Sequence, residues 1–544
     1  MTDRSQNRRW QRLCLLCTGG LILLAGCGPK NYKEDADQRV YRIIDGKWDP
    51  AFGTRANYRI GDVAPGPNDL QIENAVPASG IVTLPCALAL ATAHNRDYQT
   101  QKEQLYLAAL DLRLVRHGYE TQLFGGGSAV YLRDGDDGAV QTEANLGFNR
   151  LLATGTQIST QIGIAWADVL AGTGRQGWTS IFSAAITQPL LLGSDRRVVM
   201  EKLTLAERTT LYQIRTFNRY RKTFAVAVAT QYLQALELYD VARHTQDYLD
   251  ALTGLHSRAR KVVAVGLIPS LEVDQIQQDV LKARDALVLA RKAYERSLDQ
   301  LKLTLALPMA SEFQLDVGLL NALRQQGIPQ PEIALNEAME GALCSRLDIT
   351  NSADAVLDAQ RAVYVAADGL RADLRLTGNL AINTRGDPSI GAGPVLDLPL
   401  DRVPEQHAYR QALIAVETRR REYDLLADTV RLEVREAHRK LTETAERYQI
   451  LSVALTTAQA RDRRASVLMQ YGQASSRRIL DALKDLYDAR NAATDALTDY
   501  AVATLNFYRD TEALQVRPDG MWREGPDIPV SSMNTTANIP AAAK

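Results

Sequence analysis

Cys27 is the residue whose setting most clearly specifies a reaction. It ends the run Leu24-Ala25-Gly26-Cys27, which follows a basic stretch holding Arg8, Arg9 and Arg12 and an apolar core too short to span a bilayer. Basic, apolar and small residues in that order make a secretory signal peptide over 1–26. The ending also matches a bacterial lipobox. There the thiol takes a diacylglycerol, the small residues admit the peptidase, and Cys27 becomes an N-terminus carrying acyl chains such as palmitate. Gly28 in place of Asp points to the outer membrane. Such an anchor holds a protein at a membrane and carries nothing across it. The alternatives are an ordinary signal peptide with an incidental Cys, or a membrane anchor.

Other residues capable of chemistry are set aside on spacing. Cys14 and Cys17 leave with the signal peptide, and only Cys86 and Cys344 remain, with no zinc or disulfide-framework spacing. They could pair in an oxidising periplasm, but two buried helical thiols are expected. Gly172-Thr173-Gly174-Arg175-Gln176-Gly177 fits a dinucleotide pattern, but a strand follows it where a helix is required. Gly125-Gly126-Gly127 lacks the ending of a phosphate loop, and Asp134-Gly135-Asp136-Asp137 reads better as a solvated hairpin tip than as a calcium loop. Six histidines show no metal spacing, and no nucleophile–base pair stands out. No cofactor, no metal site and no catalytic residue is expected.

Composition points the same way. The 544 residues carry 63 Lys+Arg against 64 Asp+Glu, a net charge of −1 that leaves no electrostatic basis for general nucleic-acid binding. Aromatics are only 6%, thin for several compact cores and suited to long helices packed side by side. Beyond the N-terminus no apolar run is long enough for a membrane-spanning helix.

The elements that must position any site are duplicated. Ala338–Ile349 parallels Ala87–Tyr98 at an offset of 251, whereas Glu417 parallels Glu207 at 210 and Gly472 parallels Gly266 at 206. The offset drops across a non-helical insert about forty residues shorter in the second half. Each half reads helix, extended segment, long helix, Gly turn, helix, and a repeat of this size governs the fold. The expected organisation is a signal peptide (1–26), an extended linker (27–80), a first repeat (81–306), a linker (307–331), a second repeat (332–514) and a disordered tail (515–544).

Period identifies the elements. Tyr423, Leu426, Val430, Val434, Ala437, Leu441, Ala445, Tyr448, Leu451, Leu455 and Ala458 recur every 3.5 residues on average, the left-handed coiled-coil period. A helix of about 65–70 residues is about 100 Å long, beyond any compact domain. In the insert, Ile158, Thr160, Ile162, Ile164 and Trp166 alternate with Gln157, Ser159, Gln161 and Gly163, as do Leu146 and Phe148 with their neighbours. A two-faced strand fits the half-buried sheet of a soluble domain. The exported context and the aromatics in the insert favour a membrane β-barrel. In the second half, Leu376–Ile382 and Pro394–Leu400 are barely long enough for strands that need about 9–11 residues to span.

These features together resemble the TolC-like outer membrane efflux family over about 81–514. The matching text is Leu84–Ala91, Thr187-Gln188-Pro189-Leu190, Val265–Val273 and Leu505–Arg509. The resemblance implies a mainly α chain with a transmembrane β-barrel, built as a duplicated helix–strand–strand–helix–turn–helix unit. Three copies would share a trimeric α-barrel and a 12-stranded β-barrel, two strands per repeat. It also implies that the helical tips meet a periplasmic adaptor (a membrane fusion protein) through Gly266, Leu267, Ser270, Gly472 and Ser475. Glu272, Arg478 and Asp481 would ring the closed aperture. Arg478, after Arg477, departs from the acid often found there, so the ring is of mixed sign. The other reading of Glu272, Arg477, Arg478 and Asp481 is solvated interhelical ion pairing.

The implied function is an outer-membrane exit duct of a tripartite efflux or type I secretion system. It is passive, not an enzyme, and coupled to an inner-membrane transporter through the adaptor. The rival is a lipid-anchored periplasmic coiled-coil adaptor or scaffold without a pore. Adaptors, however, have one hairpin and not a duplicated unit.

Overall fold

The computed structural model describes residues 29–52, 58–60, 80–134, 137–171, 177–264, 269–327, 334–398, 400–471, 475–518 and 520–522. Cys27, Gly266, Leu267 and Gly472 lie outside them. The chain divides into two compact units. One holds residues up to Trp48, Gln104–Ile214 and Tyr364–His407; the other holds Asp49–Glu103, Arg215–Val363 and Ala408 onward.

The principal elements run in chain order. Helix α1 (Pro29–Lys47) comes first, then α2 (Leu84–His94) and α3 (Arg96–His117). Four strands follow, β1 (Gln122–Asp134), β2 (Asp137–Leu151), β3 (Gln157–Ala171) and β4 (Gly177–Pro189). Helices α4 (Glu201–Ala264), α5 (Ser270–Thr304) and α6 (Gly318–Gln326) precede α7 (Leu335–Ser345) and α8 (Leu347–Asp368). The hairpin β5 (Asp373–Ile382) and β6 (Pro388–Asp397) leads into α9 (Val403–Gln470) and α10 (Ser476–Asp510).

The duplication is reproduced to the residue. Adding 251 to the bounds of α2 and α3 yields those of α7 and α8, and adding 206 to those of α5 yields those of α10. The break between the first two helices of each repeat is an extended residue, Asn95 (φ −62°, ψ 131°) or Arg346 (φ −67°, ψ 125°). Thr83 caps α2 by accepting from the Cys86 amide, and Pro85 occupies the first turn, where its missing N–H costs nothing. Asn95 then donates to the Thr304 carbonyl at 2.9 Å and accepts from the Tyr98 amide at 3.0 Å.

Arg346, 2% exposed, takes the equivalent position in the second repeat and does more. Its guanidinium grips Asp348 at 3.1 and 2.7 Å and Glu433 at 2.6 Å. Asp348 also pairs with Arg219, which bonds Glu512, and Glu512 takes Lys222 at 2.7 Å. Three cations and three carboxylates thus join α4 of the first repeat to α8, α9 and the end of the second. Burial opposes the charge on Arg346, but the bonds to Asp348 and Glu433 outweigh it and raise its pKa.

Long helices form where the heptads require them. α9 has 68 residues, about 100 Å at 1.5 Å per residue. Val430, Val434, Leu441 and Ala445 from its stripe are buried against Ala338, Ala342, Ile349, Tyr500, Ala503 and Phe507. A second cluster packs the ends of the two helical hairpins, with Leu252, Leu255 and Ala259 of α4 against Ile276 and Val280 of α5, Ala465 of α9, and Ile479 and Ala482 of α10. No helix among the described residues is long and apolar enough to cross a membrane.

Several expectations need correction. Pro29–Lys47 is helical where the Pro- and Gly-rich text suggested extended chain. Its own polar residues find partners, as in the 2.5 Å bond from Tyr106 to Asp37. The inter-repeat linker contains α6 and a parallel pair, Gln314–Leu315 against Ile81–Val82. The ordered chain passes residue 515, since Val516 bridges Trp522 and its carbonyl accepts from Arg221. Cys86 and Cys344 are unpaired and helical, but half-buried and exposed respectively. The largest difference is in the sheet. The second repeat supplies two strands as expected, but the first supplies four.

Candidate functional site

The six strands form one antiparallel sheet in the order β1-β2-β3-β4-β5-β6. Directly opposed residues share a face, so register alone maps its two surfaces. One row runs Gly125, Leu146, Ile162, Phe182, Ile382, Pro388. That face also holds Leu123, Tyr131, Phe148, Ile164, Trp166, Ile186, Leu376, Ile390 and Leu396. Most of these are exposed, Leu123 at 80% and Ile390 at 77%.

The opposite face is polar. Glu143, Asn145, Ser159, Gln161, Ser183, Thr187, Thr377 and Asn379 lie on it. Phe124, Val130, Leu151, Ile181 and Val395 are among its apolar exceptions. Phe124 lies over Gly147, where any Cβ would sit 2.6 Å from the ring. Across β1–β4 this polar face is hollowed: Gly126, Ser128, Glu143, Asn145, Gln161, Thr179 and Ser183 help line an open cavity of about 400 Å³. A soluble half-buried sheet would cover its apolar face with helices. Here the apolar face is bare and the polar face is the concave one.

Among the described residues the sheet ends in two unpaired edges, β1 and β6. Each exposes a row of backbone N–H and C=O groups. The turn between β2 and β3 depends on Gly155, which has φ +78° and sits where a Cβ would meet the Gly193 carbonyl at 2.6 Å and Pro189 at 2.7 Å. Gln188, at the end of β4, pairs with Thr156 and donates to the Thr154 carbonyl at 3.3 Å.

The tips are partly described. Ser270 begins α5, and Ser475 caps α10 by accepting from the Arg478 amide at 3.4 Å. Glu272 lies in the first turn of α5 and is half-buried; Arg477, Arg478 and Asp481 are exposed on α10. None of these four makes an ion pair with a described residue. The pairing that crosses between α9 and α10 lies higher, with Arg447 bonding Asp495 at 2.6 Å and Asp499 at 2.9 Å and Arg461 bonding Asp485. Among the described residues no three His, Cys, Asp or Glu side chains are placed to hold a metal ion.

Sequence reasoning found the faces of β2 and β3 and missed the extent of the sheet. The signal available was the forty-residue difference between inserts. It marks extra chain without saying that the extra chain is paired strand.

A duplicated, mainly helical chain with a bare two-faced antiparallel sheet has the fold of outer-membrane channels with α-barrel and β-barrel parts. Residues 152–307 match the family model described as outer membrane efflux protein, and the chain resembles that TolC-like family. The fold is similar to CusC, a protein described as forming a transmembrane channel, at 15% identity over 79% of this chain and 91% of that one, with a TM-score of 0.58. It is similar to the Neisseria gonorrhoeae MtrE outer membrane channel at 14% identity, covering 79% and 88%, with a TM-score of 0.58. The Campylobacter jejuni CmeC outer membrane channel aligns at 14% identity over 88% and 93%, also with a TM-score of 0.58. No curated protein sequence matches the chain. The matched family and structures are channel proteins, not enzymes.

Proposed function

We propose that the protein is the outer-membrane exit duct of a tripartite export system, anchored by lipid on Cys27 and assembled as a homotrimer. One observation carries this reading: the sheet has an exposed apolar face and a polar concave face. In a bilayer the first meets acyl chains and the second surrounds water, while an open edge in lipid leaves each unpaired backbone group several kcal/mol uphill. Closure therefore requires other copies. Transport is passive: energy comes from an inner-membrane transporter, coupled by a periplasmic adaptor that meets the tips around Gly266, Leu267, Ser270, Gly472 and Ser475. Glu272, Arg478 and Asp481 line the aperture there.

The rival scaffold without a pore leaves the bare apolar face unexplained. Extraction and bilayer recording separate the two. A heat-modifiable trimer that needs detergent and conducts ions supports the duct, whereas release as a soluble monomer when Cys27 is replaced supports the scaffold. Unchanged conductance and cation block in Asp481→Ala or Arg478→Ala would remove those residues from the aperture.

A further inference from the structure

The two repeats differ by a discrete insertion. β1 begins 251 residues before β5, the offset of the helices that precede them, whereas α5 and α10 differ by 206. In the second repeat β5 pairs directly with β6; in the first, β2 and β3 (137–171) stand between β1 and β4. We propose that this hairpin is part of the channel wall. Three copies then close an 18-stranded barrel in place of the twelve strands the family resemblance implies. The inference rests on the trimeric exit-duct reading and adds the width of its outer-membrane part.

Three observations carry it. The hairpin is paired on both sides along its length, from Gln122↔Asn149 to Asp134↔Asp137 on one flank and from Gln157↔Thr187 to Ala167↔Gly177 on the other. Its apolar residues Leu146, Phe148, Ile162, Ile164 and Trp166 continue the face formed by Leu123 and Tyr131 on β1 and Phe182 and Ile186 on β4. Folded into a water-filled lumen, the hairpin would expose that row to water. At 15 residues each, β2 and β3 also exceed the roughly 9–11 a tilted strand needs to span.

Strand parity permits the closure. Six strands of alternating direction leave β6 antiparallel to a second copy's β1, so head-to-tail pairing makes a ring. Inserting two strands preserves this and inserting one would not. Pro388 and Pro394 on β6 each lack an N–H, so at most two donors are missing from the new ladder in a strand of ten residues. Because barrel diameter grows about linearly with strand number, the wall is about 1.5-fold wider than with twelve strands.

The test is electron cryo-microscopy of the full-length protein in lipid nanodiscs, viewed down the barrel. A ring of 18 strands is the expected result. A twelve-stranded ring with 137–171 outside the wall overturns this inference and leaves the exit-duct reading intact; no ring overturns both. Deleting 137–171 joins β1 to β4 as β5 joins β6, and is expected to narrow the ring to about two-thirds of its circumference. A deletion protein that assembles at unchanged width refutes the proposal, and if it does not assemble the strand count of the intact chain decides.

Discussion

Ile164→Arg tests the assignment of faces most directly. Ile164 is the eighth of the 15 residues of β3, seven from either end, and half-exposed on the apolar face. At about 3.3 Å per residue and a tilt of about 40°, seven residues cover about 18 Å of depth, which puts Ile164 near the middle of an apolar band about 25 Å tall. An arginine there costs about 2–4 kcal/mol per chain, a factor of about 30 to 800 in the folded fraction. In a trimer the cost is incurred three times. Gln161→Arg introduces the same side chain three residues away on the concave face, where water solvates it, and is expected to stay within about 0.5 kcal/mol of wild type. Ile158→Arg, on the apolar face but one residue from the strand's start, should cost only about 0–1 kcal/mol. The assay is urea-dependent folding into lipid vesicles, read as the fraction of heat-modifiable oligomer. If Ile164→Arg folds like wild type, or Gln161→Arg harms folding as much, the two faces have been assigned to the wrong solvents.

Three further outcomes follow from buried groups. Arg346→Met leaves Asp348 and Glu433 without their shared guanidinium; because Glu433 is partly exposed and Asp348 keeps Arg219, the loss is expected to be about 2–4 kcal/mol, read as a lower thermal midpoint. Lys102 is 5% exposed, with its ammonium 5.2 Å from the Tyr98 ring, and burial lowers its pKa to about 8. The unfolded chain holds that proton more tightly, so stability rises as pH climbs from about 8 to about 10. Lys102→Met should therefore raise the midpoint at pH 7, by an amount that shrinks toward pH 10; a pH-independent difference refutes this. Gly155→Ala forces a Cβ into the left-handed region and against the Gly193 carbonyl. It should cost about 1–3 kcal/mol and slow barrel assembly while leaving helical circular dichroism nearly unchanged.

Local physics made much of the helical part legible. The offset of 251 survives as identical helix bounds in both repeats: Thr83 caps the first while its counterpart Ala334 makes no side-chain cap, but the extended break residues Asn95 and Arg346 act locally in both. The heptad of α9 predicted its buried stripe for the same reason: on a helix, spacing of 3.5 is enough to say which side chains meet. The alternation of β3 was equally readable. That of β1 was not, because Gly125-Gly126-Gly127 carries no side chains to alternate. The buried network around Arg346 was invisible as well. Its members Arg219, Asp348, Glu433 and Glu512 lie far apart in sequence, and charged residues on a helix usually face solvent.

The sequence by itself determined the long helices, the duplication, the two-faced strands and the forty-residue asymmetry between the halves. Only the tertiary structure decided that the additional residues are a hairpin paired on both sides, that all six strands share one apolar face, and that the polar face is concave. Helical periodicity is written within a few turns of one segment. Strand pairing joins residues such as Phe182 and Ile382, which share no local signal and meet only when the chain has folded.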